Sequence, residues 1–325
     1  MRFLARRAVF YLIALFVAIT INFMIPRLMS GDPVQMMFAR FQGRMDPAAV
    51  ESLYKTFGFV DGPITEQYLS YLTNLTQGNL GTSIAWFPAP VTQVLGVGLA
   101  WTLRLLGVAT IISFSLGMFL GIRAAWKRGK FVDSFIVPIT GLFGAFPYFW
   151  LAMIMLYVFA LRLGWFPLGH AASLDINQDW SNPQYVLSVI YHMILPATTI
   201  VLTAVGGWLL GMRNSMINVL SADYVALAQA KGLSDSRVKY VYAARNAMLP
   251  SITGFAMSLG FIVGGAIVTE VVFSYPGIGY TLLTAINARD YPLMQGCFLL
   301  ITLAVLGANF LADAAYVLLD PRVRS

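Results

Sequence analysis

Few residues of this 325-residue sequence have the types and spacing that chemistry requires. No segment has the form G-x-x-x-x-G-K-[ST], which binds nucleotide phosphates, and neither G-x-S-x-G nor H-E-x-x-H occurs. The two histidines, His170 and His192, lie far apart, and the single cysteine, Cys297, lies in an apolar run. The sequence therefore predicts no catalytic residue, no metal site and no cofactor bound by this chain.

The apolar runs also lack the ionisable side chains that proton-driven carriers use as a relay. Their polar residues are uncharged: Asn22, Thr203 and Asn309. Arg104, Glu270 and Asp313 lie near the ends of apolar runs, where we expect them at the membrane interface. A transporter with neither a proton relay nor a nucleotide site must draw its energy from another chain.

The most informative polar stretch is residues 223–232, DYVALAQAKG, between two apolar regions. Its alanines favour a helix. Asp223 is expected to cap the start of that helix, Lys231 to lie in its last turn, and Gly232 to take the left-handed conformation after its end. Ser234 and Asp235 then start a second helix, which runs to residues 249–250.

The first of these helices is too short to be stable by itself. Eight residues of helix span about 12 Å, and isolated helices of that length are not stable in water. It must therefore dock, either on its own protein or in the groove of a partner.

The elements that position this stretch are membrane helices. Hydrophobic residues make up 58% of the chain and charged residues 11%, against about 25% charge in ordinary soluble domains. Six apolar runs approach the roughly 20 residues that span a bilayer: 8–26, 105–122, 135–161, 192–212, 251–269 and 291–311. Pro138 and Pro147 interrupt the third run. The sequence predicts an all-α integral membrane protein with six transmembrane helices.

The first run follows Arg2, Arg6 and Arg7, as a signal peptide would. It is longer than a signal h-region and no A-x-A cleavage pattern follows it, so we interpret it as a retained helix. With both termini in the cytoplasm, 14 of the 21 basic residues lie on the inner side, as the positive-inside rule requires. The net charge of +7 then reflects topology and attraction to membrane lipid, not to nucleic acid.

We expect one domain over residues 1–325, with an extracytoplasmic segment at 27–103 and a cytoplasmic loop at 213–250. Residues 48–57 within the outer segment are a candidate amphipathic helix. Trp165 and Trp180 lie in a second outer loop, where an interfacial aromatic belt is the favoured interpretation and stacking on a sugar the alternative.

Residues 223–232 resemble the "EAA" loop of ABC-importer permeases, in the oligopeptide, dipeptide and nickel branch, which also includes oligosaccharide importers. The acidic position of the triplet falls on Ala226, followed by Leu227 and Ala228, and the gap from Gly232 to residues 249–250 is longer than in sugar permeases. Both features are typical of the peptide branch. Further segments that resemble family landmarks are 30–33, 79–83, 270–279, 290–296 and 320–324, and they point to the B-type subunit.

The resemblance implies a type I importer fold in a bacterial or archaeal cytoplasmic membrane. It implies a homologous second permease, two ATP-binding subunits that carry ATP and Mg²⁺, and an external solute-binding protein as partners. It also implies that the loop is the coupling helix that inserts into an ATPase. The residues expected to couple to the ATPase are Asp223, Tyr224, Val225, Ala226, Leu227, Ala228, Gln229, Ala230, Lys231, Gly232, Arg237 and Lys239.

Two questions stay open at this stage. Short peptides and oligosaccharides are almost equally favoured as substrates, because residues 206–213 depart from the usual peptide pattern. Nickel is disfavoured, because the chain has only two histidines. The alternative function is a self-contained channel or scaffold, in which the 223–232 helix docks on its own bundle and no ATPase binds.

Overall fold

The structure, a computed structural model, describes residues 2–28, 63–262 and 267–319. Its helices are α1 (Arg2–Leu28), α2 (Ile64–Thr76), α3 (Val91–Trp126), α4 (Val137–Ala145), α5 (Tyr148–Met155), α6 (Pro183–Leu220), α7 (Asp223–Ala230), α8 (Asp235–Arg237), α9 (Arg245–Ala247), α10 (Leu249–Phe261), α11 (Ile267–Val272), α12 (Ile278–Ala288) and α13 (Tyr291–Leu319). Three π-helical segments join them: π1 (Val132–Ile136), π2 (Leu156–Arg162) and π3 (Val238–Ala244). The predicted all-α class is confirmed.

Four helices of the described residues are long and apolar enough to cross a membrane, and a bent pair makes up to five. The four are α1, α3, α6 and the Tyr291–Leu311 part of α13. They contain four of the six predicted runs, although α3 and α6 extend well beyond theirs. Pro196 lies inside α6 without ending it.

The bent pair is the third predicted run. Residues Val132–Ala145 and Tyr148–Arg162 meet at an angle of 99°. The bend falls at Pro147, where Phe146 leaves the helical conformation because the residue before a proline disfavours it. Pro138 causes no break. The backbone stays helical on both sides of the junction between π1 and α4, with Ile136 and Val137 both in the right-handed helical conformation.

The fifth predicted run, 251–269, corresponds to α10 and α11, and residues 263–266 between them lie outside the described residues. The six-helix count and the cytoplasmic placement of both termini therefore stay predictions. The candidate helix at 48–57 and the landmarks at 30–33 and 320–324 also lie outside the described residues.

Internal contacts group the chain into two compact units. The first unit comprises residues 1–102, 263–267 and 276–325, and the second comprises 103–262 and 268–275. Helix α3 contributes residues 91–102 to the first unit and 103–126 to the second. The single-domain organisation of the chain stays a prediction.

In the first unit α1 packs along α13, and α2 packs on α1. The Tyr11 hydroxyl donates to Asp313 at 2.7 Å, and Arg7 lies 3.4 Å from the same carboxylate. At the other end of α1, Phe23 is buried against the ring of Tyr68 in α2. The core of this unit includes Cys297, which is fully buried as an ordinary apolar side chain.

In the second unit α6 packs against both α3 and α4, through glycines that let the backbones approach closely. A Cβ added at Gly121 of α3 would lie 2.7 Å from the Leu209 carbonyl oxygen of α6. One added at Gly206 of α6 would lie 2.6 Å from the Thr140 carbonyl oxygen of α4. These contacts fix α6 as the central element on which the loop helix α7 rests.

Candidate functional site

Helix α7 has the predicted length of eight residues, but it begins one residue earlier than predicted. The capping position is Ala222, in extended conformation with φ −80° and ψ 143°, and no side chain caps the helix. Asp223 is the first helical residue, so the prediction that its carboxylate caps the helix is wrong. Its negative charge still lies in the first turn, where it complements the helix dipole.

The glycine after α7 adopts the predicted conformation, whereas Lys231, expected in the last turn, lies just after the helix. Gly232 has φ +71°, the left-handed conformation that glycine adopts without steric cost. Its N–H donates to the Gln229 carbonyl at 2.9 Å, and the Leu233 N–H donates to the Ala228 carbonyl at 3.4 Å. This pair of bonds is a Schellman motif, with Lys231 at the capping position just after the helix.

One face of α7 is buried in an apolar cluster of the second unit. Val225 and Ala228, one turn apart, are buried together with Met212 and Met216 of α6. The remaining buried members of the cluster come from α3, π3 and α9: Met118, Ile122, Ala125, Val238, Ala243, Ala244 and Ala247. The docking that so short a helix requires is therefore provided by its own chain.

The opposite face of α7 is exposed, and it is not polar. Leu227 is 56% exposed and Tyr224 is 41% exposed. Asp223, Ala226, Gln229 and Ala230 are exposed as well. Because α7 is anchored by its other face, these side chains form a projecting, partly apolar surface, which we call the α7 surface.

A residue that the sequence did not single out supports this surface. The Asn246 side-chain amide, in α9, donates to the Tyr224 hydroxyl at 3.1 Å and to the Tyr242 carbonyl at 3.0 Å. Asn246 lies 22 residues after Tyr224, and no local pattern links the two positions. The bond fixes the direction in which the exposed Tyr224 ring points.

The second predicted helix exists, but its geometry differs from the prediction. Three α-helical residues, Asp235–Arg237, are followed by the seven π-helical residues of π3 and then by α9. A π-helical turn holds an extra residue and so rotates the side chains that follow it. In this register Val238, Ala243 and Ala247 all reach the apolar cluster.

The two basic residues predicted to face an ATPase are not equivalent. Arg237 is exposed. Lys239 is half-buried, with its ammonium nitrogen 4.3 Å from the ring centre of Tyr240 and 6.0 Å from that of Trp126 at the end of α3. The structure thus places Arg237 with the exposed part of the loop and Lys239 against the bundle.

Two sequence landmarks of the first unit, 79–83 and 290–296, lie in contact with each other. The buried Asp290 carboxylate accepts hydrogen bonds from the Ser83 hydroxyl at 2.5 Å, the Ala85 N–H at 2.9 Å and the Leu293 N–H at 3.1 Å. It thereby caps α13 and holds the loop before α3. Burial raises the pKa of Asp290 above its usual range, although the donors oppose that shift.

Two glycines allow this contact, which we call the Ser83–Asp290 clasp. A Cβ added at Gly296 would lie 2.6 Å from Val91 Cγ1, so only glycine permits α13 to approach the start of α3 so closely. Gly81 has φ +80° and packs near Pro292. Sequence reasoning found both landmarks but did not predict that they meet.

Glu270 is fully buried within the chain. Its expected position at the membrane interface stays a prediction. Arg104, Glu270 and Tyr185 are all close enough to Tyr275 to act on its hydroxyl electrostatically, and burial raises the Tyr275 pKa. Arg104 also stacks on Trp180, with 4.5 Å from guanidinium carbon to ring centre. These residues form a polar cluster in the second unit.

Within the described residues, no group of three or more His, Cys, Asp or Glu side chains is arranged to hold a metal ion. The candidate functional site is the α7 surface, which is exposed and partly apolar.

Comparison with known proteins identifies the family. Residues 117–325 match the family of binding-protein-dependent transport system inner membrane components, and residues 1–103 match the N-terminal region described for the same systems. The chain belongs to this family of ABC-importer permeases and is a multi-pass membrane protein.

The similar proteins are bacterial peptide permeases. The chain is 36% identical to the di/tripeptide transport system permease protein of Pseudomonas aeruginosa (strain UCBPP-PA14), over 99% of this chain and 98% of that one. It is 32% identical to the oligopeptide transport system permease protein of Bacillus subtilis (strain 168), over 96% of both chains. It is also 32% identical to the dipeptide transport system permease protein of Escherichia coli (strain K12), over 95% of both chains.

Proposed function

We propose that this chain is one of two homologous permease subunits of a bacterial importer that takes up short peptides delivered by an external binding protein. The observation that carries the proposal is the α7 surface: an eight-residue helix fixed to the bundle by one face and exposing Tyr224 and Leu227 on the other. Membership of the permease family supports it.

The α7 surface fits a cleft on an ATP-binding subunit. Exposed aromatic and aliphatic side chains at the centre of a small convex element are the usual anchors of a protein interface. Asp223, Gln229, Lys231 and Arg237 surround them and provide a polar rim. In this proposal Val225, Ala228 and Lys239 act from the buried side and keep the helix in place.

The transport cycle follows from how α7 is held. When two ATPases close on ATP and Mg²⁺, which they carry themselves, each pushes on the coupling helix that it contacts. Because Val225 and Ala228 pack directly on Met212 and Met216, the push passes to α6 and its partner α3. The permease pair then alternates between outward-open and inward-open states.

Peptides are the favoured substrates. The three relatives described above are named as di/tripeptide, oligopeptide and dipeptide permeases. Oligosaccharides remain the second candidate, because residues 206–213 depart from the usual peptide pattern and exposed tryptophans such as Trp165 can stack on sugars.

The test is ATPase activity of the reconstituted complex with its binding protein, loaded either with mixed short peptides or with mixed oligosaccharides. We expect stimulation by peptides alone. Stimulation by oligosaccharides alone would correct the substrate class and leave the architecture intact. A chain that purifies without ATPases in mild detergent and conducts by itself would establish the self-contained channel instead.

A further inference from the structure

The turn that joins α3 to π1 carries four basic residues close together. Arg123 lies in the last turn of α3, and Lys127, Arg128 and Lys130 follow it. All four side chains are exposed. None of them belongs to the salt bridges of the described part of the chain. We call these four residues the basic turn.

The acid closest in sequence, Asp133, offsets only part of this charge. Asp133 is the one acidic residue between positions 123 and 133. Its carboxylate accepts from the Arg213 guanidinium at 2.5 Å and from the Gly129 N–H at 2.9 Å. The second bond closes the turn, in which Gly129 has φ +74°. Asp133 thus shapes the basic turn while its charge is balanced by Arg213.

Exposed aromatic rings lie immediately beside the basic turn. Phe131 is 67% exposed and Phe135 is 57% exposed, and their ring centres are 5.3 Å apart. Both lie at the start of the bent apolar pair that could form one membrane span. The guanidinium carbon of Arg123 lies 4.2 Å from the ring centre of Phe119, one turn earlier in α3, and the Arg123 side chain is exposed.

The surface of a membrane with anionic phospholipid suits both the basic side chains and the aromatic rings. Lys and Arg clustered at the end of a membrane helix attract anionic head groups, and neighbouring aromatic rings insert at the head-group level. The surface of a soluble partner would leave the adjacent apolar segment facing water. We propose that the basic turn, with Phe131 and Phe135, is a binding site for anionic phospholipid.

The lipid site and the α7 surface lie at the same end of the second unit, because Lys239 of π3 reaches Trp126 at the end of α3. They are nevertheless separate in sequence and in composition. The α7 surface has few charges around an apolar centre, whereas the basic turn has excess charge with apolar residues at its margin. The proposal of a lipid site therefore does not rest on the proposed transport function.

Native mass spectrometry of the full-length chain, purified in mild detergent and titrated with phosphatidylglycerol or phosphatidylcholine, tests the proposal. The test variant replaces Lys127, Arg128 and Lys130 with glutamine. The control replaces three exposed basic residues of the coupling loop, Lys231, Arg237 and Arg245, with glutamine. Co-purification of ATPase subunits is measured for both.

We expect the turn variant to bind phosphatidylglycerol at least about tenfold more weakly, since each basic residue near an anionic surface contributes substantially. Phosphatidylcholine binding and ATPase co-purification should not change. The control should retain wild-type lipid binding. Replacing Phe131 and Phe135 with alanine should cause a smaller loss of the same lipid.

Three results would overturn the proposal. One is unchanged phosphatidylglycerol binding in the turn variant. Another is an equal loss in both triple variants, which would show attraction to net charge without a site. The third is loss of the ATPases from the turn variant with lipid binding intact, which would make the basic turn a second protein-binding surface.

Discussion

The Ser83–Asp290 clasp in the first unit and the α7 surface in the second use sequence landmarks in opposite ways. The clasp turns its polar groups inward, where Asp290 satisfies three donors and is itself buried. The α7 surface turns apolar groups outward, and Tyr224 and Leu227 are exposed among the described residues. Both segments resemble family landmarks, yet one serves the fold and the other is available to a partner.

The difference teaches how a recurring segment can be assigned a role. A landmark whose polar groups are all satisfied internally contributes stability, and its loss should lower the free energy of unfolding. A landmark that leaves large apolar side chains exposed beside a fixed backbone contributes binding. Four substitutions separate these two effects.

The largest effect is expected at the centre of the α7 surface. Leu227→Asp places a charge where the partner's apolar cleft would lie, and we expect transport to fall by about a hundredfold, as for a central interface anchor. Membrane insertion and thermal stability should not change, because Leu227 is exposed.

The matched control for that substitution is Leu174→Asp, at an exposed leucine in the loop before α6. Peptide uptake into proteoliposomes measures both variants. Equal losses at the two positions would mean that an added charge, and not a lost anchor, explains the effect.

We expect a substitution in the Ser83–Asp290 clasp to lower the stability of the protein. Asp290→Ala leaves the Ser83 hydroxyl and two backbone N–H groups without their acceptor, at a cost of about 2–3 kcal/mol. Asp175→Ala, at an exposed acid, should change stability by less than about 0.5 kcal/mol. Thermal unfolding in detergent measures both, and a destabilised Asp175 variant would remove the distinction between them.

A smaller effect is expected where α7 ends. Gly232→Val meets no neighbouring atom, but a β-branched residue at φ +71° is strained by about 1–2 kcal/mol. We expect the end of α7 to shift and substrate-stimulated ATPase activity to fall about tenfold.

Gly78→Val provides the control, because Gly78 has φ +72° and equally open surroundings at the end of α2. It imposes the same strain far along the chain from the coupling loop and should leave coupling intact. Unchanged transport in the Gly232 variant would remove this glycine from the mechanism.

The smallest effect concerns the bond that orients Tyr224. Tyr224→Phe removes the acceptor of the Asn246 amide but keeps the ring, and Asn246 retains the Tyr242 carbonyl. The cost should be about 1 kcal/mol or less, with transport within about threefold of wild type. A Tyr224→Phe variant as inactive as Leu227→Asp would show that the hydroxyl itself contacts the partner.

The sequence predicts the local features of both regions and misses the long-range ones. The length of α7 and the conformation of Gly232 follow from helix propensity and from glycine's freedom at positive φ, which neighbouring residues determine. The contact between Ser83 and Asp290 joins residues 207 positions apart, and no periodicity encodes it.

The differences from prediction lie at the start of α7 and in the segment that follows it. Asp223 was expected to cap α7, but Ala222 occupies the capping position. The residues after Asp235 were expected to continue as one helix, but they include the π-helical π3, whose buried residues belong to a cluster shared with α3 and α6. Local preference carries no information about these contacts, because their partners are distant in sequence.

The glycine contact between α3 and α6 has a mechanical consequence. With Gly121 set directly against the Leu209 carbonyl, no layer of side chains separates the two backbones there. Side chains change rotamer and absorb displacement, whereas backbones in contact do not. We therefore expect the two helices to move together, so that a displacement at the end where α7 rests is passed along both of them.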